Sequence, residues 1–118
     1  MTKLAPKTLA KRIVKIAWSK KAENIVLLDL RKISSMTDYF LVCSAGSEVQ
    51  ARVIAEAIIE SLDDSGIKSS VEGLDASHWI LIDCYCVVVH IFLPGVREFY
   101  GLERLWGDAP REEFSDDE

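Results

Sequence analysis

The sequence predicts an α/β domain, a mixed sheet of about five strands with helices packed on its faces. Three observations carry this expectation. Apolar residues recur at helical spacing in three segments. Short apolar runs of strand length, bounded by polar residues, fill most of the rest. The two kinds of segment interleave as α-β-β-α-β-β-β-α. The chain has 118 residues, the length of one domain, and no internal repeat or linker divides it.

Residues 6–20 open the domain as a helix. Leu9, Ile13, Ile16 and Ala17 recur at helical spacing and face a core, while Lys7, Lys11 and Lys15 line another face. Two readings of that lysine stripe stand open: a solvated face, or a contact with RNA or an acidic neighbour. "ENIVLLDL" (23–30) is a buried strand, "RKISSMT" (31–37) a bend, and "DYFLVCSA" (38–45) a second strand. Ser47 caps the next helix while Gln50 reaches back, as in a capping box. That helix spans about residues 48–65, with Val53, Ile54, Ala57, Ile58 and Leu62 inward and Gly66 as its stop.

"IKSSVEG" (67–73) alternates weakly and gives a third strand. "HWILID" (78–83) and "VVVHIFL" (87–93) are stronger strands, joined as a hairpin around Tyr85. Pro94 suits the first turn of a last helix carrying Phe99, Leu102 and Trp106. The domain is expected to fill residues 1–110. Residues 111–118, "REEFSDDE", are expected to form an acidic, disordered tail.

Composition limits function. The residues are 49% hydrophobic and 28% charged, as in ordinary globular proteins. Residues 1–21 show scattered lysines rather than a signal-peptide pattern. No apolar run approaches the ~18 residues of a membrane span, so a cytoplasmic protein is expected. Three cysteines in such a chain argue against a disulfide framework. Net charge is −5, unevenly spread: residues 1–35 carry +7 and residues 36–118 carry −12. An acidic body disfavours phosphate-led nucleic-acid binding, leaving RNA at most a secondary contact. It favours a basic protein partner.

Three constellations invite chemistry. Cys84, Cys86 and His90 form C-x-C-x3-H, but along a straight strand they would span about 20 Å, and a fourth ligand is missing. No metal is expected there. Cys43 in an apolar strand, and Cys84 and Cys86 beside acids, lack the electropositive setting of a thiol nucleophile. His90, among valines, reads as a sheet histidine rather than a general base. Gly46-Ser47 before a helix suits a phosphate, and it resembles the opening of a nucleotidyltransferase site. That chemistry needs paired carboxylates on an adjacent strand for Mg²⁺, and the strands after the helix offer no D-x-D, only Glu72 in a weak strand and a lone Asp83. The expectation is a protein without catalytic residues or cofactor. Nucleotidyl transfer is the alternative of another class.

Longer words then become recognisable. "DLRKISSMTDYFLVCSAGS" and "WILIDCYCVVVHIFLPGVREFYGLERLWGDAP", with the helix between them, resemble the Iojap family, the ribosomal silencing factors. The likeness covers roughly residues 7–110. It implies a nucleotidyltransferase-like fold without catalytic carboxylates. It implies binding to a large-subunit ribosomal protein, the fourteenth of the universal L series, which sterically blocks subunit joining and represses translation under nutrient limitation. Large-subunit assembly is the alternative role, and homodimers are implied too. Trp79 matches a tryptophan associated with partner binding, and Leu81, Asp83, Val88 and His90 share its hairpin. Asp38 and Tyr39 match a Thr-Asp-aromatic element, and Arg97, Tyr100, Glu103 and Trp106 a C-terminal signature. One departure stands out. Relatives usually carry Asp-aromatic-Gly-Asp where this chain has Asp83-Cys84-Tyr85-Cys86. With the turn glycine gone, a looser turn is expected at Tyr85.

Overall fold

Two apolar strands, Tyr39–Ser44 (β2) and Val87–Phe92 (β5), lie side by side and parallel at the centre of the sheet. Both are buried almost throughout rather than on alternate residues, the mark of strands covered on two faces. The computed structural model describes residues 5–33, 35, 37–93, 95–96, 101, 107 and 109–114. Around the central pair run Glu23–Asp29 (β1), Ser70–Glu72 (β3), Trp79–Asp83 (β4) and Arg111–Phe114 (β6). The sheet order is β3-β4-β5-β2-β1-β6, with every neighbouring pair antiparallel except β2 and β5.

A parallel pair needs a crossover, and Glu48–Asp64 (α2) supplies it. Pro6–Ser19 (α1) packs beside α2 on the same face. Leu9, Ile13 and Val14 of α1 and Ile54, Ile58 and Leu62 of α2 bury against Leu27, Leu41, Ile80, Ile82, Val89 and Ile91. Each such side chain contributes on the order of 1.5–3 kcal/mol through its removal from water. The inward stripe of α2 runs through Ala51, Ile54, Ala55, Ile58 and Leu62. Val53, expected inward, is 43% exposed, and Ala57 is half-buried. The apolar residues of α2 are too many to fix its rotation until the sheet selects a face.

The capping box forms with one variation. Ser47 Oγ accepts the Gln50 N–H at 3.1 Å, and Gln50 Oε1 accepts the Gly46 N–H at 2.7 Å. Gln50 Nε2 then donates to the Lys21 carbonyl at 2.8 Å, tying the start of α2 to the end of α1. Gly66 stops α2 at φ +71, with the Ile67 N–H returning to the Leu62 carbonyl.

The C-terminal expectation needs correction. Arg111–Phe114 is not a disordered tail but a sixth strand, antiparallel to β1. Alternation explains why so acidic a segment pairs. Phe114 packs on the helix-side core, and Glu112 meets the Lys11 ammonium at 2.9 and 2.7 Å. Lys11 also stands 5.2 Å from the centre of the Phe114 ring. Charges on an edge strand discourage further strand addition. Residues 115–118, and the predicted helix carrying Phe99, Leu102 and Trp106, lie outside the described residues.

One glycine shapes the β3–β4 connection. Gly73 has φ +88, and a Cβ there would stand 2.1 Å from the Trp79 carbonyl oxygen. The connection therefore lies directly against the first residue of β4. Gly73→Ala is expected to lower stability by more than about 2 kcal/mol, combining left-handed strain with a backbone clash. A urea midpoint matching the unmodified chain would contradict this.

Candidate docking surface

α1 and α2 cover one face of the sheet; the other gathers an aromatic cluster in which Phe92 and Val42 are fully buried, with Val96 and Ala109 in the same cluster, while Trp79 and Phe40 stay half-buried. Register builds it. Across the β4–β5 hairpin Trp79 stands opposite Phe92, Leu81 opposite His90 and Asp83 opposite Val88. Partners in an antiparallel pair share a face, so all five predicted contact residues lie together on the face away from the helices. In parallel register β2 adds Phe40 beside Val88 and Val42 beside His90. Glu72 of β3 stands opposite Leu81 and brings a second acid to this face.

Trp79 is half-buried. Its ring stacks on Phe92 at 5.0 Å between centres, and its indole N–H donates to His90 Nδ1 at 3.1 Å. Phe40 meets the His90 ring edge-on at 4.6 Å. The Trp79 bond makes Nδ1 the acceptor, so the neutral ring carries its proton on Nε2. That Nε2 is buried without a hydrogen-bond partner. His90 is only 3% exposed, and burial pushes its pKa down to about 4. Asp83 opposes that shift weakly. At neutral pH the histidine is an uncharged member of an aromatic cluster.

The hairpin turn is tighter than its sequence suggests. The Cys86 N–H donates to the Cys84 carbonyl at 3.0 Å around Tyr85, whose φ is +76. This is a γ-turn of the positive-φ kind, rare and strained for a side-chain-bearing residue. The expected looser turn is absent: Tyr85 adopts the conformation glycine would take. Two bonds hold it there. The Cys84 N–H reaches the Val87 carbonyl at 3.0 Å, and Asp83 Oδ1 accepts the Tyr85 N–H at 2.9 Å. The Tyr85 side chain is 84% exposed at the tip.

The turn also separates the suspected ligands. Cys84 and Cys86 pack with the helix-side core, whereas His90 joins the opposite face. The sheet stands between them. The Cys84 thiol donates to the Val87 carbonyl at 3.1 Å, and burial raises its pKa to about 11, so it stays protonated. Cys43 is fully buried. Among the described residues no group of three His, Cys, Asp or Glu side chains is placed to hold a metal. The Gly46-Ser47 amide and hydroxyl are taken up by the α2 cap.

Asp38 and Tyr39 are positioned by backbone. Both amides donate to the Cys86 carbonyl, at 3.0 and 3.1 Å, fastening β2 to the turn. The Tyr39 ring is buried on the helix side, with the Arg31 guanidinium 5.4 Å from its centre. Arg97, Tyr100, Glu103 and Trp106 lie outside the described residues. Sequence reasoning missed Phe40, Phe92 and the exposed Tyr85. Period two puts Phe92 with His90 on one face, but only the parallel register could add Phe40.

The chain has known likenesses. Residues 3–118 match the family model described as ribosomal silencing factor during starvation. A Bacillus subtilis protein named ribosomal silencing factor RsfS is 45% identical over 105 residues, covering 85% of this chain and 89% of that one. A Mus musculus protein named mitochondrial assembly of ribosomal large subunit protein 1 is 28% identical, over 80% of this chain and 43% of its own length. A crystal structure of a Chromobacterium violaceum protein superposes with a TM-score of 0.85 at 30% identity, covering 88% of each chain.

Two measurements test this geometry. Tyr85→Gly is expected to raise stability by about 1 kcal/mol, relief of left-handed strain outweighing the entropy of the freer unfolded chain. An unchanged or lower melting temperature would count against the strained turn. The second concerns pH. Folded His90 titrates at about 4, and the unfolded histidine near 6.5, so protons favour the unfolded state. Stability is then fully present above about pH 6.5 and falls toward pH 4, by up to about 3 kcal/mol. His90→Phe should remove that part of the pH dependence, and identical slopes in the two proteins would exclude it.

Proposed function

The chain belongs to the family of ribosomal silencing factors, and from that premise we propose that it represses translation by binding. It works in the cytoplasm, docks on the large ribosomal subunit and keeps the small subunit from joining. The docking partner is the large-subunit protein that is fourteenth in the universal L series. The contact is the sheet face of the β4–β5 hairpin.

One observation carries this reading: Trp79, Leu81, Asp83, Val88 and His90 share a single face with Phe40. A steric blocker needs no reacting group. It needs a patch of about 800 Å² with a few aromatic anchors. Trp79 is a suitable anchor because its ring is held by Phe92 and its N–H by His90. Little rotamer freedom remains to be lost on docking. Asp83 and Glu72 give the patch an acidic edge suited to a basic ribosomal protein. The mouse relative's name, which speaks of large-subunit assembly, supports the choice of subunit.

Co-sedimentation with purified large subunits tests the docking. Trp79→Ala is expected to weaken binding by more than about 1 kcal/mol, at least roughly fivefold in Kd, with its circular dichroism unchanged. Leu81→Ala, a milder change on the same face, should weaken it less. Adding the unmodified protein should reduce the yield of joined ribosomes. Binding without any effect on joining would exclude the blocking role and leave assembly of the large subunit as the function.

A further inference from the structure

Helix α1 concentrates positive charge, of which the fold pairs only Lys11 among the described residues. Lys7, Lys11, Arg12 and Lys15 fall within its Pro6–Ser19 span, which contains no acid. Cations four residues apart repel one another. Lys7 lies in the first turn, where the positive end of the helix dipole disfavours a cation. Among the described residues only Lys11 of these four has an ion-pair partner, Glu112. Intrahelical electrostatics therefore opposes this arrangement, and an external anion would offset the repulsion with attraction of its own.

The same residues shape a site. Lys7, Thr8, Lys11, Arg12, Lys15 and Ile16 of α1, with Ser61 of α2, line a groove of about 610 Å³. It lies in the helical layer, across the sheet from the Trp79 cluster. Residues four apart on a helix rise about 6 Å, so Lys7, Lys11 and Lys15 present a line of charge rather than a point. A line of cations fits a polyanion better than a single small anion. Among the described residues the lining is four cations, two hydroxyl side chains and one isoleucine, and the Phe114 ring beside Lys11 packs on the core. These lining residues supply neither an aromatic hot-spot anchor nor a platform for stacking bases. Lysine, arginine and hydroxyl groups are the usual donors to phosphate oxygens.

We propose that the α1–α2 groove binds the phosphodiester backbone of RNA, independently of sequence, as a contact separate from the sheet face. The phosphate chemistry follows from the groove; the choice of RNA rests on the ribosomal reading above. Lys11 is the gated member of the set. Glu112 of β6 holds its ammonium at 2.7 Å, so an RNA phosphate must compete with that carboxylate.

The test uses the isolated full chain and a fluorescent RNA duplex of arbitrary sequence, followed by anisotropy across a salt series. Binding is expected at about 50 mM salt and should weaken steeply toward 200 mM. Lys7→Glu combined with Lys15→Glu should lower affinity at least roughly tenfold and flatten the log–log salt slope by about two. Both positions are exposed, so the fold should survive. Glu112→Gln, which frees Lys11, should move affinity the other way, by about twofold or more. No binding by the unmodified chain, or an unchanged slope in the double variant, overturns the proposal. So does equal affinity for polyglutamate, which would make the groove a site for acidic protein. The probe contains no ribosomal protein, so its outcome is separate from Trp79-dependent sedimentation.

Discussion

Parallel pairing of β2 with β5 is the constraint on which the rest of the structure depends. Parallel neighbours cannot be joined by a hairpin, so the chain crosses over through α2 and here also builds β3 and β4 before β5. That path puts α2 on one face and returns β4 along the outer edge of β5. It also sets β2 against β5 in one register, with Phe40 beside Val88 and Val42 beside His90. The aromatic face is a consequence of that register. A slip of one residue would turn Phe40 toward the helices and Leu41 toward the other face. The Cys86 carbonyl guards against this slip, because it takes both the Asp38 and the Tyr39 N–H at the point where β2 begins.

Within the aromatic face, one polar pair sets the order. Burying His90 leaves its Nε2 without a partner, a cost of about 1–3 kcal/mol. The Trp79 indole satisfies the other nitrogen, fixing the tautomer and the orientation of Trp79 together. A phenylalanine in place of His90 would pack without the polar cost but would leave the indole N–H without its acceptor. The histidine thus exchanges some stability for a tryptophan held in one pose. The turn beyond it follows similar logic, since Tyr85 accepts left-handed strain and is held out in solvent by bonds to Asp83 and across the hairpin.

Much of this was legible in the residues. Helix α1, strands β1, β2, β4 and β5, and the Ser47 cap follow from local periodicity and local hydrogen-bonding chemistry, which act over a few residues. What failed was non-local. Val53 looked inward because α2 carries apolar residues around much of its circumference, and only the sheet selects the buried side. Arg111–Phe114 looked disordered because three of its residues are charged. Its pairing depends on Lys11 and Ile25, far away in sequence. The hairpin's shared face was legible through period two, but the parity change at Tyr85, which sends the cysteines to one side and His90 to the other, belongs to a turn geometry that the loss of glycine argued against.

The two faces of this small domain differ in the kind of surface they can meet. The sheet side offers aromatic area edged by Asp83 and Glu72, and it suits an apolar, basic protein surface. The helix side offers a line of cations on a chain whose net charge is −5. Long-range repulsion between the acidic body and a polyanion weakens any approach sheet-first and leaves α1 as the attractive pole. On the proposed reading, a molecule so polarised would meet a ribosome in a preferred orientation, steered by RNA phosphate at α1 and anchored by a basic protein surface at the sheet face. Charge on α1 would then act mainly on the rate and orientation of encounter, and the packed Trp79 cluster on the lifetime of the complex, because steering raises association rates while desolvated aromatic anchors slow dissociation.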